Sequence, residues 1–396
     1  MKVVDLETFV VAPPPPAFGG RYWVFVKLTT DNGIVGYGEV YAVPFNPKVV
    51  ELMIRDVFER DLEGRDPFQV EALWRRIYST CFTQRPDVSL MGIASGLDMA
   101  CWDIMGKALD RPVYDLLGGR VHDRLRSYTY LYPGETDKDD FYHDVDASAE
   151  RAAEYVKQGF TALKFDPAGP YTTFDPSMIS LEAMERSATF CKRIREAVGS
   201  KADLLFGTHG QMSPASAIRL AKYLEPYDPL WFEEPVPPGN ADAMARVARS
   251  TSIPVATGER LTTKYEFSEL LRKEAASILQ FNSGRVGGIT EARKIATMAE
   301  AHYAQIAPHC YCGPIEAAAN IQVDTASPNF LIQESIKQFD DFHAQILKKP
   351  LQWEEGYLIP PTEPGIGVEL DEDVARAHPF EGEGMHLEML DKPLWH

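Results

Sequence analysis

Positive charge is scarce in this chain: 40 Lys and Arg stand against 58 Asp and Glu, a formal net charge of −18 in 396 residues. No run of Lys or Arg relieves that balance, which excludes a surface that binds nucleic acid by displacing phosphate counterions. Cysteine is thin as well. The five cysteines, Cys81, Cys101, Cys191, Cys310 and Cys312, are odd in number and mostly scattered. They make no disulfide framework for a chain of this size and point to a reducing, cytoplasmic setting. Cys310-Tyr311-Cys312 supplies two thiols, too few for a soft-metal site, and reads as a packed strand end. No apolar stretch approaches membrane-spanning length, and the first residues lack the basic start and apolar run of a leader, so no membrane partner is expected. Gly33, Gly36 and Gly38 make no dinucleotide fingerprint, because no helix follows them to hold a pyrophosphate.

What is present is apolar content, 45% of the residues, enough for a large core and for two domains. An anionic substrate approaching so acidic a molecule needs local positive charge, from a metal or a few lysines. The N-terminal region alternates as strands do from Tyr22 to Thr30, turns at Asp31-Asn32-Gly33, and returns from Ile34 to Tyr41 as a hairpin. Ahead of it, the four prolines Pro13 to Pro16 and the pair Gly19-Gly20 predict an exposed loop, read as a mobile cap over the site. Helical periodicity from Lys48 to Lys107 completes an α+β capping domain over residues 1–125.

From Arg126 the pattern changes to short apolar strands separated by helical stretches. The strands run Ser127–Tyr132, Ala162–Asp166, Asp203–His209, Leu230–Pro235, Val255–Arg260, Ser277–Asn282, Gln305–Cys310 and Phe330–Ser335. Eight such units over residues 126–350 predict a (β/α)8-type barrel, whose site lies at the C-terminal strand ends. Polar residues fall at those ends: Lys164 and Asp166, His209, Glu233 and Glu234, Glu259, Asn282, His309 and Glu334. Residues 351–396 read as an added segment returning to the capping domain.

Alternation puts Lys164 with Asp166, and Gly207 with His209, on the inner face of the mouth. Glu233 and Glu259 end adjacent strands and can converge; two carboxylates without a thiol or histidine set favour a hard cation, Mg²⁺ before Zn²⁺. A proton next to a carboxylate is so weakly acidic that its removal needs the enediolate stabilised, a task for a divalent cation and an ammonium. Lys164 is a candidate base if its surroundings lower its pKa, and His309 offers a second base from the opposite side.

The stretch Gly96-Leu97-Asp98-Met99-Ala100-Cys101-Trp102-Asp103, followed by Arg111-Pro112-Val113-Tyr114 and Leu116-Leu117-Gly118-Gly119, resembles the mandelate racemase-like branch of the enolase superfamily. Trp231-Phe232-Glu233-Glu234-Pro235, Thr257-Gly258-Glu259-Arg260 and Gly287-Gly288-Ile289-Thr290 continue the likeness, which covers nearly the whole chain. It implies a (β/α)7β barrel under an N-terminal cap, Mg²⁺ on Glu233 and Glu259, His309 as the seventh-strand catalytic histidine, Glu334 beside the substrate carboxylate, and an even-numbered homo-oligomer. Ala162-Leu163-Lys164-Phe165-Asp166-Pro167 with His209-Gly210 resembles the acid-sugar dehydratases of the gluconate and galactonate type. That implies His209 as the acid for a leaving β-hydroxyl and a 2-keto-3-deoxy acid as product.

Three positions depart from the family pattern. Gly207 stands where a third carboxylate ligand is expected, leaving Asp166 or His209 as the nearest replacements. Asn282 stands for the aspartate that would charge His309, and an amide cannot stabilise an imidazolium by charge. Asp166 replaces the second lysine of a racemase, which favours one-sided elimination over racemisation. Glu234 is expected behind the site in an ion pair. The alternatives are a lactone cycloisomerase or an epimerase on the same scaffold, or a scaffold that has lost catalysis and serves in binding or assembly.

Overall fold

The computed structural model describes residues 1–82, 84–134 and 141–393, with the side chain of Cys81 outside the description. Strands β1 (Val3–Val11), β2 (Trp23–Thr30) and β3 (Val35–Val40) form an antiparallel meander in the order β1-β2-β3. Strand β2 shows why this sheet is a middle layer. Trp23 and Phe25 join the barrel's core, while Val24, Val26 and Leu28 join the core of the cap. Period-two alternation sends one set to each side, so both faces are apolar.

Helices α1 (Pro47–Asp61), α2 (Val70–Tyr78), α3 (Val88–Leu109) and α4 (Val113–Leu116) follow. Asp87 opens α3 by accepting from the backbone N–H groups of Ser89 and Leu90, and Asp110 ends it in the left-handed region. Helix α3 lies on β3 so closely that a β-carbon at Gly38 would come within 1.9 Å of the Gly96 carbonyl oxygen. By length and composition α3 is apolar enough to cross a membrane, which corrects the expectation that no stretch is. In the structure 83% of that window is buried, as befits a core helix.

The parallel strands β4 (Leu125–Tyr130), β5 (Ala162–Phe165), β6 (Asp203–Phe206), β7 (Trp231–Glu233), β8 (Val255–Thr257), β9 (Ile278–Leu279) and β10 (Gln305–Ile306) pair in sequence order. Strand β11 (Gln333–Ser335) pairs with β4, and Phe330 just before it bridges Ile306 of β10, so the two ends of the run meet. Helices α5 (Val145–Gln158), α6 (Leu181–Val198), α7 (Pro214–Leu224), α8 (Ala241–Ala248), α9 (Lys264–Arg272), α10 (Gly288–Ala301) and α11 (Pro314–Thr325) connect them. Starts and stops follow local chemistry: Asp144, Ser180 and Ser213 accept at helix N-termini, and Gly159 ends α5 at a φ of 113°. The ladders are shorter than the apolar runs suggest. Asp166, His209, Glu259, Asn282 and His309 lie one to three residues beyond them, on the loops that flare from the strand ends.

After α12 (Asp341–Gln345), the hairpin of β12 (Gln352–Glu354) and β13 (Tyr357–Ile359) packs antiparallel on the foot of β4. Helix α13 (Glu372–Ala377) then leads the chain to the cap, where the Phe380 N–H donates to the Val10 carbonyl. From there residues 385–390 cross the mouth of the barrel as a strap, and Leu390 bridges Thr172 in the loop after β5.

Candidate active site

A cavity of about 670 Å³ lies at the C-terminal ends of the parallel strands. Lys164, Asp166, His209, Glu259, His309 and Glu334 all line it, whereas Glu233, Glu234 and Asn282 stand behind this wall.

Lys164 is fully enclosed, 2% exposed. Its Nζ donates to Glu233 Oε1 at 2.5 Å and to Glu334 Oε1 at 3.4 Å. Burial opposes the charge, but Glu233 and Glu334 hold the ammonium well above its ordinary range. The surroundings therefore do not lower its pKa as a base would require. Glu334 accepts from the Cys310 N–H at 2.8 Å through its other oxygen; burial pushes its carboxyl up, but Lys164, His309 and that N–H together hold it below its ordinary range. Two carboxylates repel, so Glu334 suits a substrate hydroxyl better than a substrate carboxylate.

The two histidines have different partners. His209 sits at a φ of 51° in a loop pinned by Thr208, whose hydroxyl donates to the carbonyls of Glu233 and Glu234, both at 2.8 Å. Its Nδ1 is 3.0 Å from Asp166 Oδ2, and Tyr171 packs on the ring at 4.5 Å. Burial pulls His209 down, but the hydrogen bond and charge of Asp166 and the charge of Glu259 raise it to about 9. His309 instead has an amide beside it, Asn282 Nδ2 at 2.8 Å from Nδ1. Burial holds His309 below its ordinary range despite Glu259, whose Oε2 is 3.7 Å from Nε2. The Asn282 carbonyl oxygen is buried without a partner. Turned toward Nδ1–H, it would leave Nε2 free to take a proton.

Several lining residues escaped sequence reasoning. Arg260 pairs with Glu234 at 2.7 Å, and Arg285 donates to the Glu259 carbonyl at 3.1 Å while packing over Tyr41. Arg260 follows the Thr257-Gly258-Glu259 motif directly, which was the available signal. Tyr130, Tyr132, Tyr142 and Tyr171 also line the cavity. The strap adds the apolar Met385, Leu387 and Met389 of a polar tail, and with them His386. The proline loop does not line the cavity, which corrects the reading of Pro13 to Pro16 as its cover. Pro14, Pro15 and Pro16 are exposed, and the segment acts from outside through the Gly19 carbonyl, which accepts from Trp23 Nε1 at 2.9 Å and lies 3.0 Å from His386 Nε2.

The magnesium ion that the resemblance implies finds an ill-fitting donor set. Glu233 has both oxygens engaged, Oε1 by Lys164 and Oε2 by Trp231 Nε1 at 3.0 Å and Gln280 Nε2 at 2.8 Å. Position 207 offers no side chain. Among the described residues, three ligand-type groups converge closely at Glu39, Cys312 and Glu316 instead. There Glu39 is occupied in accepting the Gly313 and Glu316 N–H groups at the start of α11.

Residues 7–118 match the mandelate racemase / muconate lactonizing enzyme N-terminal domain, and residues 147–374 match the enolase C-terminal domain-like family. The chain belongs to the mandelate racemase-like branch of the enolase superfamily. A solved structure from Burkholderia SAR-1, described in the terms of that family, is 63% identical with a TM-score of 0.98, covering 100% of this chain and 98% of that one. One from Labrenzia alexandrii DFL-11, described likewise, is 61% identical with a TM-score of 0.98 over 100% of both chains. The D-galactonate dehydratase of Variovorax paradoxus (strain S110) is 35% identical over 379 residues, 94% of this chain and 93% of its own.

Proposed function

We propose that this superfamily member is a hydro-lyase that dehydrates a sugar acid, an aldonate or aldarate, to a 2-keto-3-deoxy acid. The observation that carries this reading is the unequal pairing of two histidines at one cavity, His209 with a carboxylate and His309 with an amide. Environments that push two titratable groups apart set one as acid and the other as base. The name of the Variovorax relative supports the same class.

His309, neutral at physiological pH, takes the α-proton. Lys164, fixed and charged, faces the substrate carboxylate and balances the enediolate with help from Arg285. His209, kept protonated by Asp166, gives its proton to the β-hydroxyl, which departs as water and leaves an enol that tautomerises to the ketone. Glu334 holds Lys164 and accepts from a substrate hydroxyl. The test is a screen of C5 and C6 aldonic and aldaric acids, scored for 2-keto-3-deoxy products with semicarbazide. A product from one of them, absent with His209→Asn, is the expected result; silence across both classes with folded protein rejects the reading.

A further inference from the structure

We infer that the ammonium of Lys164 takes the place of the divalent cation at this site, so that the chain works without one. This rests on the same cavity as the proposed dehydration but concerns what neutralises its carboxylates.

Three observations converge. Lys164 Nζ lies between Glu233 on β7 and Glu334 on β11, at 2.5 and 3.4 Å, and so ties opposite walls of the barrel together. Glu233 is 1% exposed and already accepts from three donors: Lys164, Trp231 and Gln280. A carboxylate so saturated has to shed an ammonium before it can ligate an ion, and a divalent ion left beside that ammonium is repelled by it.

The third observation is at position 207. A β-carbon on Gly207 would lie 3.3 Å from Lys164 Cε and 3.9 Å from Asp166 Cβ. The lysine stem therefore lies against the ground that a third carboxylate ligand would need. With a negative side chain gone at 207, the ammonium of Lys164 covers the negative charge that remains on Glu233 and Glu334. Glu259, whose Oε2 has no hydrogen-bond partner, is left to face His309 across the cavity.

Mn²⁺ is the probe, titrated into the purified full chain after EDTA treatment and followed by electron paramagnetic resonance, with metal content of the untreated protein measured by mass spectrometry. The wild type is expected to carry less than one divalent ion in ten molecules and to bind Mn²⁺ no tighter than about 1 mM. The double variant Gly207→Asp/Lys164→Met, which restores the carboxylate and removes the ammonium, is expected to bind roughly 100-fold tighter. A wild type that binds one Mn²⁺ in the micromolar range, weakened by Glu259→Gln, overturns the inference whether or not the double variant folds. The readout is binding, so absence of turnover on every sugar acid rejects the dehydratase reading alone.

Discussion

Asp166 Oδ2 and His209 Nδ1 are 3.0 Å apart, and this contact keeps a largely buried histidine charged where burial alone would leave it neutral. If protonated His209 is the acid, activity holds below about pH 9 and falls above it. Asp166→Asn removes the charge and keeps the shape. The high-pH limb of kcat/KM is then expected to move down by about two units or more, toward the ordinary histidine range. A pH–rate profile of the variant checks this, and an unmoved limb would assign the acid role elsewhere.

His309 and His209 are separable by isotope. With His309→Asn, exchange of the substrate α-proton in D₂O is expected to fall by about 10²–10⁴-fold, together with product formation. With His209→Asn, exchange continues while elimination stops, because the proton still comes off but the hydroxyl has no acid. Proton NMR of the substrate during incubation distinguishes the two.

The strap over the mouth should respond to acid. Burial holds His386 down to about 3, and its Nδ1 has no hydrogen-bond partner. A histidine whose folded pKa lies below its unfolded value stabilises the fold above the unfolded value, near 6.5, and progressively less as pH falls toward 3. The loss is on the order of a few kcal/mol. Protection of the amides of residues 385–390, relative to their intrinsic exchange rates at each pH, is expected to fall between pH 7.5 and pH 5, and His386→Phe to reduce that difference. Equal protection at both pH values in the wild type would show that His386 does not govern the strap.

Gly38→Ala tests the packing of α3 on β3 within the cap. Its new methyl would meet the Gly96 carbonyl, a backbone atom that cannot rotate away. A loss of about 1–3 kcal/mol or more is expected in denaturant unfolding. Gly33→Ala is the contrast, since a β-carbon there meets nothing, although its φ of 84° brings some backbone strain.

The barrel was legible because each of its strands carries its own apolar run and ends on a polar residue, and both signals are local. Lys164, Glu259, His309 and their neighbours could be named for that reason. What could not be read is which of these side chains face one another. The Lys164 ion pairs span 69 and 170 residues of sequence, and only the closed ring of strands brings those partners together. The strap was hidden for a related reason. Met385, Leu387 and Met389 look like stray apolar residues in a polar tail until the chain is seen to return across the cavity. The proline loop misled because its composition correctly marks exposure, but exposure says nothing about what a loop covers.

Helix α10 receives its N-terminal acceptors from the cap, Ser95 Oγ for the Gly287 N–H and Asp98 for the Thr290 N–H, and α11 receives Glu39 in the same way. The cap is thus the terminus of two barrel helices and cannot be exchanged as an independent module. A chimera that grafts a relative's cap onto this barrel would inherit working helices only if acceptors equivalent to Glu39, Ser95 and Asp98 travel with it. Mismatched pairs would melt early at the top of α10 and α11, beside the loops that carry Asn282 and His309, and so lose the site before the barrel.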